Sequence, residues 1–125
     1  MANILLIEDD RDTRDMLGRF LSQSGHEMQM AANGWEGLLA LERHVDLVLL
    51  DLMLPGMDGF SFLKVMRRQT ATRDIPVVAV TALDVAEVTP QLERLGVEEI
   101  VSKGSNLFKQ LRSTLDRHLE RPGAD

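Results

Sequence analysis

The chain contains no cysteine in its 125 residues. That excludes a disulfide framework, a thiolate zinc site and a cysteine nucleophile, and it suits a reducing cytoplasm, which is the expected location. Long apolar runs are missing as well. The longest, Val45 to Leu50 and Ile75 to Ala82, are broken or flanked by Asp, Pro or Thr and fall far short of the ~20 residues that span a bilayer. Membrane insertion is not expected. The opening Met-Ala-Asn-Ile-Leu-Leu-Ile-Glu lacks the basic start and long apolar stretch of a signal peptide, so export is not expected either. Basic charge is in the minority: 14 Lys and Arg against 20 Asp and Glu give a formal net charge of −6. Direct nucleic-acid binding, which needs clustered Lys and Arg to neutralise phosphate, is therefore disfavoured. Basic pairs such as Arg67 and Arg68 read as solvated helix surface. What remains, 44% hydrophobic and 27% charged residues, describes a single domain over residues 1–121 with 122–125 as a tail. A chain of this size buries roughly two thirds of the surface its unfolded form exposes.

Ile4, Leu5, Leu6 and Ile7 form a continuous apolar run ending in Glu8, Asp9 and Asp10, the pattern of a strand buried on both faces. Asp12 to Ser24 carries Met16, Leu17, Phe20 and Leu21 on one helical stripe, and Gly25 supplies a stop. His26 to Ala31 alternates as a strand with Met28 and Met30 on one face. Asn33-Gly34 then turns into a helix bearing Trp35, Leu38, Leu39 and Leu41. Val45 to Leu50 is another buried strand, ending at Asp51. Asp58 is placed to cap a helix holding Phe60, Leu63 and Met66. Ile75 to Val80 forms a fourth strand, ending at Thr81. Beyond Asp84 the pattern weakens, and Pro90 suits the first position of a short helix capped by Thr89. Ile100 and Val101 form a fifth strand. A last helix from Ser105 carries Leu107, Phe108, Leu111, Leu115 and Leu119, with residues from Glu120 frayed. Continuous Ile, Leu and Val strands joined by helix-sized crossovers predict a doubly wound, flavodoxin-like α/β domain: five parallel strands in the order 2-1-3-4-5 with five helices.

Ligands of such sheets bind beyond the carboxyl ends of the strands, and there the polar residues fall: Glu8, Asp9 and Asp10, then Asp51, then Thr81, then Ser102 and Lys103. Clustered carboxylates repel one another, and an oxygen-loving divalent cation relieves that repulsion. Mg2+ is the natural candidate, with Asp9 and Asp51 as ligands, Glu8 direct or through water, and a backbone carbonyl just after Asp51. A carboxylate oxygen of Asp51 could then attack phosphorus in line, with Lys103 and the Thr81 hydroxyl contacting phosphoryl oxygens. Asp10 reads as the cap of the first helix. His26, His44 and His118 show no spacing of a metal site and read as surface or helix-end residues. Trp35 and the seven Met residues read as core or interface packing.

Five stretches, Ile4-Leu-Leu-Ile-Glu-Asp-Asp10, Asp46-Leu-Val-Leu-Leu-Asp51, Leu54-Pro-Gly-Met-Asp-Gly59, Val78-Ala-Val-Thr-Ala82 and Val101-Ser-Lys103, follow in order along nearly the whole chain. Together they resemble a response-regulator receiver domain, similar to the chemotaxis response regulator. The resemblance implies Asp51 as phosphoacceptor, Glu8 and Asp9 as the acidic pair, Met53 as donor of its backbone carbonyl to Mg2+, Thr81 as switch hydroxyl and Lys103 as the family's lysine. It also implies a histidine kinase or phosphotransfer protein as phosphodonor, a downstream protein partner, and no enzymatic turnover by the domain.

Two positions depart from that pattern. The strand-five position where the family usually carries Tyr or Phe is Ile100, which cannot swing a polar or aromatic tip between surface and interior. The family's Lys-Pro is Lys103-Gly104, and since a cis bond costs roughly 2.5 to 4 kcal/mol away from proline, none is expected after Lys103. Both departures keep open an alternative, a receiver-like scaffold that signals without phosphorylation. A dehalogenase-type phosphatase would want a second Asp where Met53 stands, and a flavodoxin would want a Gly-rich phosphate loop where three acids stand. Met53 and Leu83, two residues after Asp51 and Thr81, flank the path of hydrolytic water in this family and cannot orient it by a hydrogen bond, so slow self-dephosphorylation is expected.

Overall fold

The computed structural model describes residues 2–119; the tail at 120–125 and the proposed domain end at 121 lie outside them. Ten elements alternate along the chain: β1 (Asn3–Ile7), α1 (Arg11–Gln23), β2 (Glu27–Ala31), α2 (Gly34–Ala40), β3 (Leu47–Asp51), α3 (Gly59–Arg68), β4 (Val77–Thr81), α4 (Val85–Arg94), β5 (Glu99–Ser102) and α5 (Leu107–His118). The strands form one parallel sheet in the order β2-β1-β3-β4-β5. That is the doubly wound arrangement the sequence predicts.

Alternation along each buried strand divides the core in two. Leu5, Ile7, Val48, Leu50, Val77 and Ala79 face a cluster completed by Phe62, Leu63 and Met66 of α3 and Leu92 of α4. Ile4, Leu6, Leu47, Leu49, Val78 and Val80 face the other way, onto Leu17 and Leu21 of α1 and Leu107, Leu111 and Leu115 of α5. Both faces of the sheet are covered, which is why its strands read as unbroken apolar runs. Helix starts follow the sequence closely. Asp10 accepts from Thr13 N at 2.9 Å, Asn33 from Glu36 N at 2.9 Å, and Asp58 from Ser61 N at 2.8 Å. Gly25, with φ +94, closes α1 in the left-handed conformation that a glycine adopts without strain.

Several expectations are corrected. Strands β3 and β4 begin at Leu47 and Val77, two residues later than the apolar runs suggest. Helix α5 begins at Leu107. Within α3 the fully buried aromatic is Phe62, while Phe60 is half-buried. Helix α4 is ten residues long and starts at Asp84, whose carboxylate accepts from Ala86 N at 2.9 Å. Pro90 therefore sits inside the helix, and Thr89 is no cap: its hydroxyl donates to Val85 O at 2.6 Å. Asp84 supplies the stronger cap, and the exposed Pro90 removes one ladder hydrogen bond on the solvent side.

Arg67 is not solvated surface. Its guanidinium donates to Leu95 O at 2.9 Å, Arg73 O and Ile75 O at 2.8 Å each, and Gly96 O at 2.9 Å. One side chain thus ties α3 to the start of β4 and to the C-terminal end of α4. Trp35 and Leu39 of α2 are not core residues but exposed, as are Met16, Met30 and Met53.

Candidate functional site

At the carboxyl ends of β1 and β3 two acids are buried, Glu8 with 1% and Asp51 with 4% of its surface exposed. β1 and β3 pair in register from Ile4 with Leu47 to Ile7 with Leu50, so Glu8 and Asp51 emerge side by side. Asp9, one residue on, is exposed. One carboxylate oxygen from each of Glu8, Asp9 and Asp51 lies within 4.8 Å of the others, the spacing of a shared cation site.

Lys103, at the end of β5, reaches across the sheet edge. Its Nζ lies 2.7 Å from Glu8 Oε1 and 3.2 Å from Asp51 Oδ2. Burial pushes the Glu8 carboxyl above its ordinary value, and hydrogen bonds from Lys103 and the Asp10 amide only partly oppose it. For Lys103, burial favours the neutral amine, but the Glu8 contact and the negative field of Asp51 outweigh it and hold the ammonium above its ordinary value. The two acids and one base stabilise one another in a setting none would tolerate alone.

Backbone geometry fixes these side chains. The Asp10 amide donates to Glu8 Oε2 at 3.1 Å, and the Met53 amide donates to Asp51 Oδ1 at 3.1 Å. Gly59 opens α3 against the backbone just after β3. A Cβ there would lie 2.8 Å from Leu52 Cα and 3.0 Å from Asp51 O, so any larger residue would push α3 off the site. Thr81, fully buried at the end of β4, accepts from Leu83 N at 2.9 Å through its hydroxyl. The Lys103 amide donates to Thr81 O at 2.8 Å, joining the β4 and β5 ends.

The structure thus brings Glu8, Asp9, Asp51 and Lys103 together. Thr81 lies at the neighbouring strand end with its hydroxyl engaged by Leu83, and Met53, 56% exposed, meets the Asp51 carboxylate through its amide. Ile100 is half-buried against the α3 and α4 core. No cis peptide occurs among the described residues, Lys103-Gly104 included. Sequence reasoning missed Arg14. Its guanidinium donates to Glu8 O at 2.9 Å and Asp9 O at 3.4 Å and so braces the acidic turn from α1. The one available signal was its place a turn beyond the Asp10 cap, below the strand end.

Residues 4–116 match the family described as the response regulator receiver domain, and the chain belongs to that family. It is 40% identical over 130 residues to the transcriptional regulatory protein AfsQ1 of Streptomyces coelicolor, covering 100% of this chain and 56% of that protein. It is 38% identical over 112 residues to the DNA-binding dual master transcriptional regulator RpaA of Synechocystis, covering 89% and 46%. The chain thus spans about half the length of the curated relatives it matches. Among solved structures it is similar to the chemotaxis protein CheY4 of Vibrio cholerae, with TM-score 0.87, 29% identity, and 94% and 98% of the two chains covered. It is also similar to the response regulator TrrA of Thermotoga maritima in complex with Mg2+ and BeF, with TM-score 0.82, 28% identity and the same coverage. Among the described residues, no helix is long and apolar enough to cross a membrane.

Proposed function

We propose that this receiver domain accepts a phosphoryl group on Asp51 from a phosphohistidine of a histidine kinase or phosphotransfer protein in the cytoplasm. It then signals through altered contacts with a downstream protein rather than by catalytic turnover of its own, with the domain spanning residues 1–121. The observation that carries this reading is the convergence of Asp51, Glu8 and Asp9 carboxylate oxygens within 4.8 Å beside the Lys103 ammonium. That donor set, oxygen-only and partly buried, fits Mg2+, which Glu8, Asp9, Asp51 and the Met53 carbonyl would hold. When bound, Mg2+ neutralises the acids and polarises the incoming phosphoryl group. An Asp51 carboxylate oxygen then forms the new bond to phosphorus as the bond from phosphorus to the donor imidazole breaks, and the imidazole nitrogen keeps that electron pair. Lys103 moves from its acid partners to a phosphoryl oxygen. Thr81 turns its hydroxyl from the Leu83 amide to donate to another, and that turn is the switch; Ile100, half-buried on the adjoining strand β5 opposite Ala79, transmits by packing alone.

Intact mass after incubation with Mg2+ and acetyl phosphate tests this. The expected result is a gain of one phosphoryl group that disappears with EDTA and in Asp51→Asn. Ile100 favours one rival, a phosphorylation-independent scaffold. No gain together with no Mg2+ binding by titration would decide for that rival.

A further inference from the structure

The most exposed large apolar side chains of the described residues are Leu39 at 66% and Trp35 at 62%. Four residues apart on α2, they form a single outward ridge. Beside the ridge lies a groove of about 480 Å³ between α2 and the segment after α3, lined by Leu38, Leu41 and Ala71 with Glu42, Gln69 and Thr72 at its polar parts. The indole also reaches the β3–α3 loop, since a methyl group at Gly56 would lie 3.8 Å from Trp35 Nε1. None of this serves the acidic site.

Ridge and groove together present on the order of 400 Å² of apolar surface, the size of the largest patch on an ordinary monomer, a patch that is often functional. A stable dimer buries about 800 Å² of polar and apolar surface together on each partner, so area alone does not separate a second copy from another occupant, and charge has to decide. A second copy would also bring another net charge of −6, and an isologous contact would place Glu36 and Glu42 near their own copies. Charge disfavours self-association. One face of a single helix buries a few hundred Å², and side chains spaced three and four residues apart fill such a groove. We propose that the α2 ridge and the adjoining groove are a docking surface for an amphipathic helix of a partner protein, with leucine-sized anchors on one face and Lys or Arg on its flanks. This surface is separate from phosphoryl acceptance and does not depend on it.

Trp35 is the only tryptophan of the chain, so its emission reports this face directly. The probe is an 18-residue helical peptide with Leu at three- and four-residue spacing and Lys elsewhere, compared with a twin carrying Glu in place of Lys. The expected result is a blue shift of Trp35 emission and at least tenfold tighter binding of the Lys peptide than of its twin. Amide shifts should be confined to α2, residues 69–72 and Gly56. Leu39→Asp should weaken binding at least tenfold, whereas Met16→Asp, at another exposed apolar position on α1, should leave it unchanged. Absence of binding, equal binding of the twins, or full binding by Leu39→Asp overturns the proposal. So does a concentration-dependent blue shift with a sedimenting dimer that Leu39→Asp abolishes, which would give the face to a second copy.

Discussion

Lys103 and Arg67 are partly buried cations at opposite ends of the sheet, held in opposite ways. Lys103, at the carboxyl ends of the strands, faces two carboxylates that an incoming cation or phosphoryl group can compete for. Arg67, at the amino ends, donates to four backbone carbonyls that no other side chain is shown to satisfy. Burial lowers the Arg67 guanidinium below its ordinary value, with Glu98 and Asp74 opposing, yet its position is fixed by geometry rather than by charge balance. One end of the sheet is built for exchange of partners and the other for permanence. Substitutions should therefore alter activity at the first and stability at the second.

Arg67→Ala tests the permanent end and should have the largest effect. Hydrogen bonds from a charged donor contribute about 1.5 to 3 kcal/mol each, but the freed carbonyls partly reach water, so a loss of about 2 to 4 kcal/mol in urea unfolding is expected. Arg67→Lys should recover less than half of it, because a single ammonium cannot span four carbonyls on two segments. A loss below 1 kcal/mol would erase the contrast. At the exchange end, Lys103→Met leaves Glu8 and Asp51 buried without a counter-charge and should destabilise by about 1 to 3 kcal/mol. It also removes a positive charge from the cation site. A divalent cation and an ammonium several ångströms apart in water-like surroundings repel by about 1 to 2 kcal/mol, so Mg2+ should bind roughly tenfold tighter and restore most of the lost stability. Titration calorimetry and a thermal scan with and without Mg2+ check both halves. Unchanged Mg2+ affinity would mean that Lys103 does not oppose the ion.

Most of the exchange end was legible in the sequence. A polar residue after a buried apolar run has one place to go in a parallel sheet, and three such runs place Glu8, Asp51 and Thr81 on one edge. The permanent end was not, because the Arg67 contacts are to backbone carbonyls, which leave no side-chain pattern to read. Pro90 misled for a related reason: proline was weighed as a helix start, while Asp84 six residues earlier capped the helix first. Trp35, read as core or interface packing, is not core, and neither is Leu39, because Gly34 and Gly37 are the residues that α2 packs inward. A Cβ at Gly37 would lie 2.6 Å from Ile7 Cδ1, so the inward face of α2 is held small to let the helix approach the sheet.

A smaller effect concerns the lifetime of the phosphorylated state. Met53 is exposed two residues after Asp51, the proposed phosphoacceptor, and its side chain offers water no strong hydrogen-bonding group. Met53→Asn supplies an amide there without disturbing the backbone contact to Asp51. Hydrolysis of the phosphorylated domain, followed by loss of intact-mass signal after removal of phosphodonor, should become several-fold faster. A variant no faster than wild type would count against apolar shielding at this position.

The smallest effect comes from a contact that belongs to neither end. On β5, Glu99 accepts from Arg117 Nε at 2.9 Å and from Thr114 Oγ1 at 2.9 Å, while His118 Nε2 lies 3.2 Å away, with Glu98 adjacent in sequence. The Arg117 hydrogen bond is the main reason the Glu99 carboxyl lies below its ordinary value, against the opposing effect of burial, with Thr114 and His118 assisting. A depressed carboxyl contributes stability above its unfolded pKa and loses it as the pH falls through the folded value. The contribution should therefore be complete at neutral pH, begin to fall near the unfolded carboxyl's pKa of about 4.5, and be lost as the pH drops through the lower folded value. Because the pair is largely solvent-screened, Glu99→Gln should lower the melting temperature by only about 1 to 2 °C at pH 7. Wild type and variant should converge as the pH drops toward 3. A gap that stays constant across that range would assign the effect of Glu99 to packing rather than to charge.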